Sequence, residues 1–218
     1  KEKMYLVLVL CFAAVLITVG AAFFIVRGLG STTRQNDNTA DSAATQEPLV
    51  ADSSYDKNQN TIDTNKYSST ILEESADAGQ SYVDETLFLG DSNTARMYRI
   101  FNYCSYDNAI GSVGMSGKSL ATYACVQFQG YSGYKTMPEA VALMQPRRVI
   151  LTFGTNDLSS SYSASSFASD YAKGIKAVQD AYPNVDIIVN AIPPLGQQHS
   201  NQNLTQTQVD EYNKALVQ

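Results

Sequence analysis

Three short runs of small and polar residues carry the groups that could do chemistry: Gly90-Asp91-Ser92-Asn93-Thr94, Gly114-Met115-Ser116-Gly117-Lys118-Ser119 and Gly154-Thr155-Asn156-Asp157. Ser92 offers a hydroxyl nucleophile. On a tight turn between a strand and a helix, its Oγ would stand at the sheet edge beside unpaired helix amides and the positive end of the helix dipole. The glycines of the second run let the backbone approach a bound group and present an N–H, and the Asn156 amide can donate to a developing oxyanion. Each run also has a purely structural reading, because Asp, Ser and Asn are favoured helix N-caps and Gly is a favoured turn residue. A serine nucleophile needs a base, and the one imidazole of the chain is His199.

Elements that alternate between strand and helix would bring these runs together. Residues 86–89 (TLFL) lead into Gly90 as a short apolar strand, and residues 93–101 can form a helix directly after the turn. Residues 109–113 are a second strand. Residues 148–153 (RVILTF) are a third, rich in β-branched residues and bounded by Pro146 and Gly154. Residues 185–192 (VDIIVNAI) form the fourth, stopped by Pro193 and Pro194. Between the last two, Phe167, Tyr171, Ile175, Val178 and Tyr182 recur at helical spacing over residues 163–182, and residues 206–217 read as one more helix. This alternation points to an α/β domain with a parallel sheet covered on both faces. Such sheets build their sites at the carboxyl ends of the strands, where all three runs fall.

Together, in this order at successive strand ends, the runs resemble the SGNH (GDSL-type) hydrolase family. The resemblance covers roughly residues 86–218. It implies that Ser92 is the nucleophile, that Gly117 is the oxyanion-hole glycine with Gly114 as the competing alignment, and that Asn156 is the side-chain donor to the same oxyanion. Asp91 and Asp157 complete the two motifs in supporting places. The implied fold is a three-layer α/β/α, flavodoxin-like domain. The implied activity is ester hydrolysis through a Ser92 acyl-enzyme, with no metal and no cofactor. The family's fourth block, Asp-x-x-His, which supplies the base and the carboxylate that orients it, does not occur in this sequence. His199 lies in Gly196-Gln197-Gln198-His199-Ser200, after the fourth strand and with Gly196, not Asp, three residues before it. The missing pair is expected beyond Gln218, and the chain as it stands is expected to be almost inactive.

The chain has 218 residues, a net charge of −6, three cysteines and one histidine. From residue 71 onward there are 9 basic and 14 acidic side chains. The domain therefore offers no basic stripe for nucleic acid and no ligand cluster for a structural zinc. Cys104 and Cys125 leave both a disulfide and two buried thiols open. Residues 4–26 contain neither charge nor proline; as a helix they would extend about 35 Å, enough to cross a bilayer. That is longer than the apolar core of a cleaved signal peptide. Cys11 follows Leu10 early in the apolar run and does not read as a lipid-attachment site. Residues 28–70 are polar and without periodicity, as in a disordered tether. The expected organisation is thus a transmembrane anchor at residues 1–27, a linker at 28–70 and a hydrolase domain at 71–218, incomplete at its C-terminus. The domain is expected on the extracytoplasmic side of the cell membrane. With the anchor and tether, the family resemblance implies an acylated carbohydrate of the cell envelope, such as an O-acetyl ester, or another small ester as the partner. Transfer of the acyl group to a sugar hydroxyl, or carbohydrate binding without catalysis, would use the same residues.

Overall fold

The computed structural model describes residue 56, residues 61–195 and residues 204–218. The apolar run 4–26 and His199 lie outside them. Of the polar linker, residues 61–70 are described and hold turns without helix or strand. Among the described residues no helix is long and apolar enough to cross a membrane.

After a short helix α1 (Gln80–Asp84), β1 (Thr86–Gly90) runs into α2 (Ser92–Arg99), and β2 (Ala109–Gly111) follows. A hairpin of β3 (Ala124–Val126) and β4 (Lys135–Thr136) leads to α3 (Met137–Met144), and β5 (Arg148–Thr152), α4 (Ala164–Ala181), β6 (Asp186–Val189) and α5 (Gln206–Leu216) complete the order. The main sheet is parallel in the order β2-β1-β5-β6. This is an α/β fold with a parallel sheet.

The register aligns Leu87 with Val149 and Ile187, and Phe88 with Ile150 and Ile188. Alternation then sends the two sets to opposite faces. Leu87, Leu89, Val149 and Leu151 pack in one cluster with Met137 and Val141 of α3, Phe167, Tyr171 and Val178 of α4, and Val209 of α5. Phe88 and Ala109 face the other way, against Met97 and Tyr98 of α2. Helices therefore cover both faces, as the near-continuous apolar strands require. The stripe read at helical spacing is the buried side of α4: Phe167, Tyr171 and Val178 are inaccessible to solvent. Each such side chain contributes about 1.5–3 kcal/mol by burial. The Tyr171 ring meets Phe153 edge-on at 5.9 Å, and Phe167 stacks on Tyr212 of α5 at 4.8 Å.

β2, β5 and β6 are shorter than the runs that predict them. β2 stops at Gly111, opposite the last residue of β1, because no partner continues beyond Gly90. β6 stops at Val189, opposite Leu151, with one further bond from the Asn190 N–H to the Leu151 carbonyl. The sequence reading passed over α1, the β3–β4 hairpin and α3. α3 does carry a start signal, a capping box in which the Thr136 side chain accepts from the Glu139 N–H and Glu139 accepts from the Thr136 N–H. Cys104 and Cys125 are free thiols, one buried and one half-buried, and burial raises the pKa of both.

Candidate active site

The carboxyl edge of the sheet is where β1 turns into α2. Gly90 allows that turn, since a Cβ there would collide with the Thr94 hydroxyl and the Thr152 carbonyl. Asp91 follows as the N-cap, fully buried, its Oδ1 accepting from the Asn93 N–H at 2.8 Å. Ser92 is the first residue of α2. Like the other N–H groups of a first helical turn, its amide has no intrahelical acceptor.

After β5, Gly154 takes a φ of +121°, and a Cβ on it would collide with the Ile192 side chain. Only glycine fits there. This places Asn156 across from the first turn. Its Nδ2 donates to Asp91 Oδ2 at 3.2 Å and to the Met115 carbonyl at 3.0 Å. The Asn93 Nδ2 donates to Thr155 Oγ1 at 3.3 Å, a second link between the same two turns. Asp157 is buried, and its Oδ2 accepts from the Gly117 N–H at 2.7 Å. Asn156 therefore ties the third run to the first and second, while Asp157 ties it to the second again.

Asp91, Asn156, Asp157 and Gly117 thus belong to one connected cluster, with Ser92 next to Asp91 in the chain. Gly117, the expected oxyanion-hole glycine, donates its N–H to Asp157, and a Cβ on it would meet Phe153 and Phe167. The physical reason is burial, since a carboxylate enclosed in the core needs donors and the Gly117 amide is one. Gly114, the competing alignment, is exposed at a φ of +78°, with nothing within 4 Å of where a Cβ would stand.

Both carboxyls titrate above the ordinary range. Burial raises Asp91 most, opposed by hydrogen bonds from Asn93 and reinforced by the Asp157 charge. Burial likewise raises Asp157, opposed by the Gly117 and Lys118 amides and the Lys118 charge.

Sequence reasoning passed over the residues that hold this edge from behind. The Asn213 side chain of α5 accepts from the Ile192 N–H at 2.7 Å and donates to the Ile192 carbonyl at 3.0 Å. Tyr212 donates to the Tyr162 carbonyl and, at 3.3 Å, to that of Asp157. No local signal in α5 marks these contacts, which exist only across the fold. A cleft of about 400 Å³ opens beside α2, lined by Asn93, Arg96 and Met97 of that helix and by Thr152, Asn190 and Pro193 from the ends of β5 and β6. The strand-end rule could have found Asn190 and Thr152.

The turn after β1 and the turn after β5 are joined at the carboxyl edge of the parallel sheet by the Asn156–Asp91 hydrogen bond, which is where a sheet of this kind builds a site. The chain belongs to the GDSL-like lipase/acylhydrolase family, whose profile matches residues 88–218. It is an SGNH hydrolase acting on ester bonds. No curated protein matches it. Similar solved structures include a carbohydrate esterase of family 3 from Talaromyces cellulolyticus, at 19% identity, covering 60% of this chain and 69% of that one with a TM-score of 0.40. An acetyl esterase variant solved with acetate ion is similar at 18% identity, with the same coverages and TM-score.

Proposed function

We propose that the protein is a membrane-tethered, extracytoplasmic serine esterase that removes acyl groups, acetyl above all, from a cell-envelope carbohydrate. The observation that supports this best is the hydrogen bond from the Asn156 amide to Asp91, the residue next to Ser92. It ties the turn that carries Asn156 to the residue that precedes Ser92 at the helix N-terminus, which supports a shared role for the two. Ser92 Oγ attacks the ester carbonyl and passes its proton to a base. The oxyanion is received by the Ser92 N–H and by the Asn156 amide, whose longer bond, to Asp91, gives way to the stronger acceptor. The alcohol leaves with a proton, and water releases the acid from the acyl-enzyme. Gly117 adds a further donor only where its N–H leaves Asp157. In its observed place it holds the second run in position.

The anchor reading at residues 4–26 supports the tether, and the polar linker gives it reach. The test is hydrolysis of p-nitrophenyl acetate and of an acetylated xylan by the chain and by Ser92→Ala, each with imidazole added to supply the base. Acetate release that needs Ser92 is expected. Equal rates in both would remove Ser92 from the reaction. Acetate appearing on an added sugar instead of in solution would make the protein a transferase. Protease added to intact cells should release a fragment that begins in the linker, whereas full protection would place the domain in the cytoplasm.

A further inference from the structure

On the outer side of β2 lies a second concavity, of about 550 Å³. The loop between β3 and β4 supplies Gln127, Phe128, Gln129, Tyr131 and Tyr134, and Tyr106, in the turn just ahead of β2, supplies the facing side. Among the described residues no charged side chain lines it. Its tyrosines are unusually open for rings of that size: Tyr106 is 75% exposed, Tyr134 62% and Tyr131 52%. Two of them are nonetheless braced, Tyr106 edge-on to Tyr98 at 5.4 Å and Tyr131 to Phe128 at 6.3 Å. The loop turns on Gly130 and Gly133, both at positive φ, and its stems are held by the β3–β4 pairing. Cys125, which also lines the concavity, is hydrogen-bonded with the Ser112 side chain. The Ser112 N–H donates to the Gly90 carbonyl at 2.9 Å, two residues ahead of Ser92. The concavity and the candidate active site therefore share the β1–β2 edge.

We propose that this concavity is a subsite for a neutral oligosaccharide, the chain that bears the ester cleaved at Ser92; the inference rests on the carbohydrate-ester reading above. A pyranose ring has an apolar C–H face that lies on a tyrosine ring, and rim hydroxyls that pair with carboxamides and phenols. Braced tyrosines and two exposed glutamines provide both at low ordering cost. An acidic glycan fits poorly, because none of the described residues that line the concavity is cationic and the chain carries a net charge of −6.

The test is calorimetric titration of the chain with xylohexaose, cellohexaose and chitohexaose, with hexagalacturonic acid as the charged comparison. Saturable binding of at least one neutral hexasaccharide is expected, with a dissociation constant below about 1 mM, and with little or no binding of the acidic one. The double substitution Tyr131→Ala and Tyr134→Ala should weaken that binding at least tenfold, and Gln127→Ala with Gln129→Ala should weaken it by a smaller factor; circular dichroism checks that both variants fold. The proposal is overturned by absence of neutral binding, by equal or tighter binding of hexagalacturonic acid, or by binding that survives in both folded variants. Neutral binding without any Ser92-dependent ester hydrolysis, even with added imidazole, would keep the subsite and remove the esterase reading.

Discussion

Asn156 and Asp157 are neighbours in sequence with divided duties. Asn156 donates toward Asp91 and the Met115 carbonyl, while Asp157 accepts from Gly117. If the Asn156 amide stabilises the oxyanion, Asn156→Ala should lower the Ser92-dependent rate on p-nitrophenyl acetate by about 10²–10³-fold, measured above the Ser92→Ala background. A loss below threefold would leave Asn156 a structural residue. Asp157 makes a different prediction. Burial holds its carboxyl above the ordinary 3.8. An acid raised in the folded state contributes stability that is present below its unfolded value and is lost as pH rises through the folded-state value. Unfolding free energy should therefore decline as pH climbs from below 3.8 into the range above it. Asp157→Asn keeps an acceptor for the Gly117 N–H and removes the titration, so its urea midpoints should decline less over the same range. An identical decline in both proteins would assign the effect to other groups.

The site depends on the residue that ends each connection between strand and helix. Gly90 and Gly154 do not react, yet they shape the two turns that carry Ser92 and Asn156 and that the Asn156–Asp91 bond joins. Gly154→Ala would force a side chain into a φ of +121° and against Ile192. A backbone position of that kind costs about 1–3 kcal/mol, and displacement of Ile192 adds to it. The expected result is a urea midpoint lowered by at least that equivalent together with loss of Ser92-dependent hydrolysis; a variant as stable as the parent would show that the turn relaxes freely. α5 acts on the same edge from a distance through Asn213, which satisfies both backbone groups of Ile192. The residue that would collide with a Cβ at position 154 is thus itself held in place by a helix near the end of the sequence.

At the scale of the whole molecule, the chemistry turns on a base. The sequence holds one imidazole and no Asp-x-x-His, and a general base must come within about 3 Å of the serine hydroxyl, directly or through one water. The 218-residue chain should hydrolyse p-nitrophenyl acetate slowly, His199→Ala should be equally slow, and added imidazole should raise the rate of both but not that of Ser92→Ala beyond the uncatalysed reaction. Strong activity that disappears in His199→Ala would make His199 the base. Much of the architecture could be read from local pattern. Apolar runs ending at Gly90 and Gly154 mark strands, because buried parallel strands are apolar on both faces and their turns need glycine. The spacing of Phe167, Tyr171 and Val178 marks α4, because a helix buries one face. The three motifs also identify the family without coordinates, since each occupies a strand end. Other features depend on partners remote in sequence. β2 ends at Gly111 because β1 has no further residue to pair with, the β3–β4 hairpin spans two short strands without a strong apolar signal, and Tyr106 and Tyr131 line one concavity only in the folded chain. The Gly117 N–H faces a carboxylate 40 residues away, a pairing that only tertiary structure could decide, because buried charge takes its donors from whatever the fold brings near and not from what lies beside it in the chain.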